Sequence, residues 1–139
     1  IIYGDQRDPM LYTPEMSRRA RGIELWATMK FLGKSGMAAL VERLCHRAKL
    51  MGKLLKKEGF ILHNEVVFNQ VLVALPAEAD TQAVLRQVQE EGTCWCGGSV
   101  WKEQAAIRIS VCGWTTTDAD IRRAAHVFAA AKASVETRE

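Results

Sequence analysis

Three sets of residues in this chain are of types that do chemistry. The first is Arg108, in the run Ile107-Arg108-Ile109-Ser110-Val111-Cys112. The run alternates, so it reads as a strand with Ile107, Ile109 and Val111 on one face and Arg108, Ser110 and Cys112 on the other. A guanidinium in mid-strand is costly to bury unless an anion meets it. Either Arg108 is a sheet arginine that is solvated or paired within its own domain, or its planar fork receives the carboxylate or phosphate of a ligand. The second set is Cys94-Trp95-Cys96, with Cys45, Cys112, His46, His63 and His126 as possible companions. Zinc sites usually show two ligand pairs with short spacers, and here only one is visible. The two cysteines therefore read as small core residues sharing one strand face, with no metal expected. The third set is Arg18, Arg19 and Arg21, at the start of an apolar helical stretch. The helix dipole disfavours cations there, which points either to an anionic partner or to a solvated face. No aromatic platform is interleaved with them, so nucleic acid is not an expected partner. None of the histidines sits in a local catalytic signature, and each reads as a surface or structural residue.

These residues need elements to position them. Ser17 is placed to cap a first helix that carries Ile23, Leu25, Trp26, Met29, Phe31 and Leu32 and ends at Gly33. It is apolar almost all round, which predicts burial on several sides. Ser35 opens a second helix to about Glu58, with Met37, Leu40, Val41, Leu44, Ala48, Met51 and Leu55 at helical spacing. A short strand follows at Phe60 to His63, then a stronger one from Val66 to Leu75, apolar on both faces and stopped by Pro76. Asp80 caps a third helix that ends at Gly92. Thr93 to Trp101 reads as a strand whose Gly97 and Gly98 imply a bulge or a close backbone approach. Lys102-Glu103-Gln104 turns the chain into the Arg108 strand. Thr117 or Asp118 caps a last helix with Ile121, Ala124, Ala125 and Phe128 inward. The order α-α-β-β-α-β-β-α predicts an α+β domain, an antiparallel or mixed sheet with its helices on one face. Its parts are a connecting segment over 1–16, a domain over 17–133 and a polar tail over 134–139.

The 139 residues are enough for one domain with a real core. A net charge of +3 is too weak to argue for nucleic acid. No apolar run is long enough for a membrane span, and the start lacks the basic-then-apolar pattern of a leader. Four scattered cysteines are unlike the framework of a secreted scaffold, so a reduced, cytoplasmic setting is expected. The chain begins at Ile1 without an initiator Met and is expected to be a piece of something longer.

Four stretches together carry a resemblance. They are Ser17-Arg18-Arg19-Ala20-Arg21-Gly22-Ile23-Glu24-Leu25-Trp26, Asn69-Gln70-Val71-Leu72-Val73, Gly92-Thr93-Cys94-Trp95-Cys96-Gly97-Gly98 and Ile107-Arg108-Ile109-Ser110-Val111. From about Asp8 to Phe128 the chain resembles the C-terminal portion of the pyridoxal-phosphate-dependent group II decarboxylases, the family of aromatic-amino-acid, histidine and glutamate decarboxylases. The resemblance implies the small C-terminal domain of an aspartate-aminotransferase-type fold (fold type I), which closes over an active site. It implies that Arg108 is the substrate-carboxylate arginine, that Ser17 lies near the substrate pocket, and that the parent is a cytoplasmic homodimer using pyridoxal 5'-phosphate on an amino acid. The family's Schiff-base lysine follows a histidine, and no His-Lys or His-x-Lys occurs here. That lysine is expected in a large PLP-binding domain outside this chain, so the fragment alone is expected to be inactive, because the cofactor carries the hard step. Two other readings stay open: a free-standing interaction or regulatory module of the same fold, and the small domain of a PLP-dependent aminotransferase or another lyase.

Overall fold

The computed structural model describes residues 19–76 and 80–137. The chain divides into two units, one ending at Met37 and one running from Ala38 to Glu139. The elements in order are α1 (Gly22–Lys57), β1 (Ile61–Leu62), β2 (Gln70–Ala74), α2 (Thr81–Glu91), β3 (Gly97–Trp101), β4 (Gln104–Ser110) and α3 (Asp118–Glu136).

Helix α1 covers both helices expected from the sequence, and its helical geometry breaks at Gly33, which adopts φ 63° and ψ −175°. Only glycine takes that conformation without strain, so the break falls where the sequence places it. In the first unit, Ile23, Leu25, Trp26 and Phe31 are exposed, with Phe31 at 89%. The all-round apolar composition of this stretch therefore does not translate into burial among the described residues of this unit. Ser17 and Arg18, with the proposed cap, lie outside the described residues.

In the second unit the four strands form one fully antiparallel sheet in the order β1-β2-β4-β3. Strands β2 and β3 both run against β4, so they are parallel to each other, and α2 makes the crossover between them. The fold is α+β. Val71 pairs with Ile109 and Val73 with Ile107 across β2 and β4. Directly opposed residues share a face, and these valines and isoleucines build the core with Met51 and Leu55 of α1, Val84 and Val88 of α2, and Ile121 and Phe128 of α3. The Phe128 ring is fully buried and meets Phe60 edge-on at 5.9 Å, a favoured aromatic geometry.

Asp80 caps α2 by accepting from the Ala83 N–H at 2.9 Å, and Gly92 ends it in the left-handed conformation at φ 82°. Thr117 caps α3 in a reciprocal box with Asp120, which rigidifies the helix entry. Helix α3 continues to Glu136 with Val135 buried, past the point where a polar tail is expected from composition.

Two strand boundaries differ from the sequence reading. Val66 to Phe68 are not strand, and Val67 and Phe68 are exposed. The Asn64 side chain intercepts the ladder there: its Oδ1 accepts from the Leu72 N–H at 2.8 Å and its Nδ2 donates to the Gln70 carbonyl at 3.1 Å. Side-chain amides that mimic backbone in this way favour loop over strand. Strand β3 begins at Gly97 rather than Thr93, so its glycines open the strand. Gly98 lies close against α2, since a Cβ there would lie 3.1 Å from Leu85 Cδ2. The expected close approach is thus between β3 and α2.

Candidate functional site

The site is built on β4 and its two neighbours. Arg108 pairs with Leu72 of β2 on one side and Gly97 of β3 on the other. Ile107 and Ile109 point into the core, so alternation turns Arg108 to the opposite face of the sheet, where it is exposed. Gln70 and Ser110 sit next along the same face, joined by a hydrogen bond from Gln70 Nε2 to Ser110 Oγ at 3.2 Å. Trp101 is on this face at 42% exposure. Its other end, at Ala74 and Ala106, is closed.

Arg108 is the one charged residue in the four strands. No carboxylate of the strands faces it, and among the described residues it forms no ion pair. Gly97 leaves open space beside it, with no heavy atom within 4 Å of where a Cβ would stand. A planar, permanently charged fork with space alongside can take a carboxylate end-on through two parallel hydrogen bonds.

The other sequence candidates lie elsewhere. Cys94, Cys96, Ser110, Cys112 and Asp120 line a cavity of about 260 Å³ whose floor includes Phe128. Arg108 does not line it. Burial pushes the Cys96 thiol up to about 12, and Cys94 is raised by burial and then by the charge of Glu91. Such thiols are protonated at neutral pH and are poor nucleophiles. Cys94 and Cys96 precede β3, so they are not strand residues, though Cys96 is buried as expected. Among the described residues no group of His, Cys, Asp and Glu could hold a metal ion. His46 lies 3.6 Å from Asp118, which Arg47 also meets at 3.2 Å. In the first unit Arg19 pairs with Glu24. Ser17 lies outside the described residues.

The described residues do not form a PLP site. Six of the eight lysines lie on α1, Lys102 is in the β3–β4 turn, and Lys132 donates to the Glu58 carbonyl at 2.8 Å. None lines the thiol cavity or stands on the Arg108 face. What the face presents is one exposed guanidinium with open space beside it. Gly97 and the Gln70–Ser110 pair were missed in the sequence, because only the strand register shows that they flank Arg108.

No protein-family model matches the chain. Solved structures do. The chain is similar to a tryptophan decarboxylase from Catharanthus roseus solved with L-tryptophan, at TM-score 0.75 and 15% identity, covering 86% of this chain and 27% of that one. It is similar to the Oryza sativa TDC solved with PLP and tryptamine, at TM-score 0.77 and 16% identity, covering 91% and 29%. A serine palmitoyltransferase from S. paucimobilis, bound to a PLP–myriocin aldimine, matches at TM-score 0.57 and 24% identity, covering 69% and 25%. The chain has a PLP-dependent decarboxylase-like fold. It spans less than a third of the length of each of these structures. No helix among the described residues is long and apolar enough to cross a membrane.

Proposed function

We propose that this chain is the small C-terminal domain of a PLP-dependent amino-acid decarboxylase, and that Arg108 receives the carboxylate of the amino-acid substrate. The observation that carries the reading is the placement of Arg108: one guanidinium in an otherwise uncharged sheet, exposed, unpaired among the described residues, with glycine beside it. The fold supports it, because the similar structures include two plant decarboxylases matched over nearly the whole of this chain. The cofactor, held by a large domain of the same protein, would supply an electron sink for the carbon that loses carbon dioxide. This chain would orient and neutralise the substrate's carboxylate and close the site against water. Ser17 is a second, weaker substrate contact under the same reading. The parent would act as a cytoplasmic homodimer, and the isolated domain would be inactive. The similarity to a serine palmitoyltransferase keeps a second reading, another PLP reaction on the same domain, because the domain does not set the chemistry.

The test is Arg108→Ala and Arg108→Lys in the whole parent protein. A desolvated charged contact is worth about 2–5 kcal/mol, so Arg108→Ala should lower kcat/KM by that equivalent while the bound cofactor's absorbance is unchanged. Arg108→Lys keeps the charge but not the fork and should recover only part of it. Unchanged turnover and KM in Arg108→Ala would remove the reading.

A further inference from the structure

The cavity of about 260 Å³ beside the end of β4 has no part in the role proposed for Arg108. Arg108 does not line it, although its strand neighbours Ile109 and Ser110 do. The inner wall is Met51, Cys96, Ile109, Ile121, Ala124 and Phe128, all of them buried. The outer wall includes Trp95, which is 77% exposed. Trp114 is equally exposed and stands in the chain between Gly113 and Thr116, which both line the cavity. Large apolar side chains left in water beside a concave apolar surface mark a binding site.

We propose that this cavity binds a small, uncharged aromatic molecule, a single ring with short substituents. Size comes first. An apolar cavity of about 150 Å³ holds benzene, so this one has room for the ring and its substituents. The walls suit a ring as well. Met51 brings a thioether, Cys94 and Cys96 bring thiols, and sulfur against an aromatic ring is favourable. Burial keeps both thiols protonated at neutral pH, so they add no charge.

Charge then narrows the class. No lysine, arginine or histidine lines the cavity, so an anion entering it would lose water without gaining a cation. Asp120 is its one carboxylate. That group is already met: Thr117 donates to Oδ2 from its N–H and its Oγ1, and Arg123 lies 3.7 Å from Oδ1. An ammonium would therefore find an acceptor whose charge is compensated. Thr93 and Thr116 bring hydroxyls to the wall, which suit one neutral polar substituent. The site is separate from Arg108 and does not depend on the decarboxylase reading.

Titration of this chain with p-cresol, followed by backbone amide shifts, tests it. The ions p-toluate and p-methylbenzylammonium carry the same ring with a negative and a positive charge. The expected result is saturable shifts centred on Cys96, Val111, Gly113 and Ala124, with p-cresol bound at least about tenfold more tightly than either ion. Ala124→Met fills the cavity and should weaken p-cresol at least about tenfold, while Arg108→Ala leaves its affinity unchanged. The proposal is overturned by the absence of saturable shifts, by shifts centred elsewhere, or by affinity that survives Ala124→Met or falls in Arg108→Ala. Equal or tighter binding of either ion would overturn it too. A capped tripeptide with a central phenylalanine that binds where p-cresol does not would give the cavity to a protein side chain, and that also overturns it. Should Ala124→Met not fold, nuclear Overhauser contacts between p-cresol and the Met51 methyl in the unaltered chain decide. Their presence supports the site, and their absence overturns it.

Discussion

Gly97 stands directly across the β3–β4 ladder from Arg108, and the space above it is empty out to 4 Å from a built Cβ. A side chain placed there would occupy the volume beside the guanidinium without disturbing the core. Gly97→Leu in the parent protein is therefore expected to raise KM about tenfold, the equivalent of roughly 1.4 kcal/mol, with melting temperature unchanged. The split between KM and stability is the measurement. An unaltered KM would mean the ligand does not use the space beside Arg108.

Gly52 gives the opposite case. It is buried in α1, and a Cβ there would lie 3.1 Å from Leu62 Cδ2, 3.3 Å from Val66 Cγ2 and 3.6 Å from Val71 Cγ1. Replacing a mid-helix glycine by alanine gains about 1 kcal/mol of helix propensity. Overpacking a filled core costs about 1–3 kcal/mol, and the two contacts tighter than ordinary packing, from Leu62 and Val66, would each have to give by a few tenths of an ångström. Crowding is expected to win, so Gly52→Ala should lower the urea midpoint while Gly97→Ala leaves it level or raises it. Equal shifts in the two variants would mean that α1 does not press on the sheet at this point.

The elements themselves were legible because each follows a local rule. Met51, Leu55, Ile121 and Phe128 repeat at helical spacing, Ile107 and Ile109 at strand spacing, and all are in the core. Asp80, Gly92 and Thr117 cap as their types predict. Arg108 was legible for the same reason, since alternation alone puts it opposite the isoleucines. Its surroundings were not, because Leu72 and Gly97 reach it only through pairing of strands distant in sequence. The Asn64 loop was hidden because Val66-Val67-Phe68 has the composition of a strand, and one amide side chain outweighs that preference by taking the ladder's hydrogen bonds.

The β3–β4 turn holds a removable strain. Lys102 and Glu103 sit at φ 47° and 67°, the left-handed region that a two-residue hairpin turn requires at both positions. Neither residue has a side chain that favours it, and each such position costs on the order of 1 kcal/mol. The double variant Lys102→Asn, Glu103→Gly supplies the preferred pair. It is expected to stabilise the chain by about 1–2 kcal/mol, read as a higher urea midpoint with an unchanged slope. A lower midpoint would mean that these side chains hold the turn by contacts that outweigh their backbone cost.

Acid should act through the cap of α3. Asp120 accepts from Thr117 Oγ1 at 2.6 Å and from the Thr117 N–H at 2.9 Å. The side-chain bond and then the backbone bond hold its carboxyl below the usual value, aided by Arg123 and Arg47 and opposed by slight desolvation. A carboxyl whose folded pKa is lowered contributes stability above its unfolded pKa, about 3.9 for aspartate. That contribution is lost as pH falls through the folded value. The chain should therefore lose stability below about pH 4. Thr117→Val removes the side-chain bond, brings Asp120 nearer its unfolded value, and should flatten that part of the profile. Glu91 is lowered by Thr93 in the same direction and is untouched by the substitution, so it contributes equally to both curves. Urea midpoints measured from neutral pH down to pH 3 should therefore converge for the two proteins on acidification. Curves that stay parallel would show that the Thr117–Asp120 box carries no charge-dependent stability.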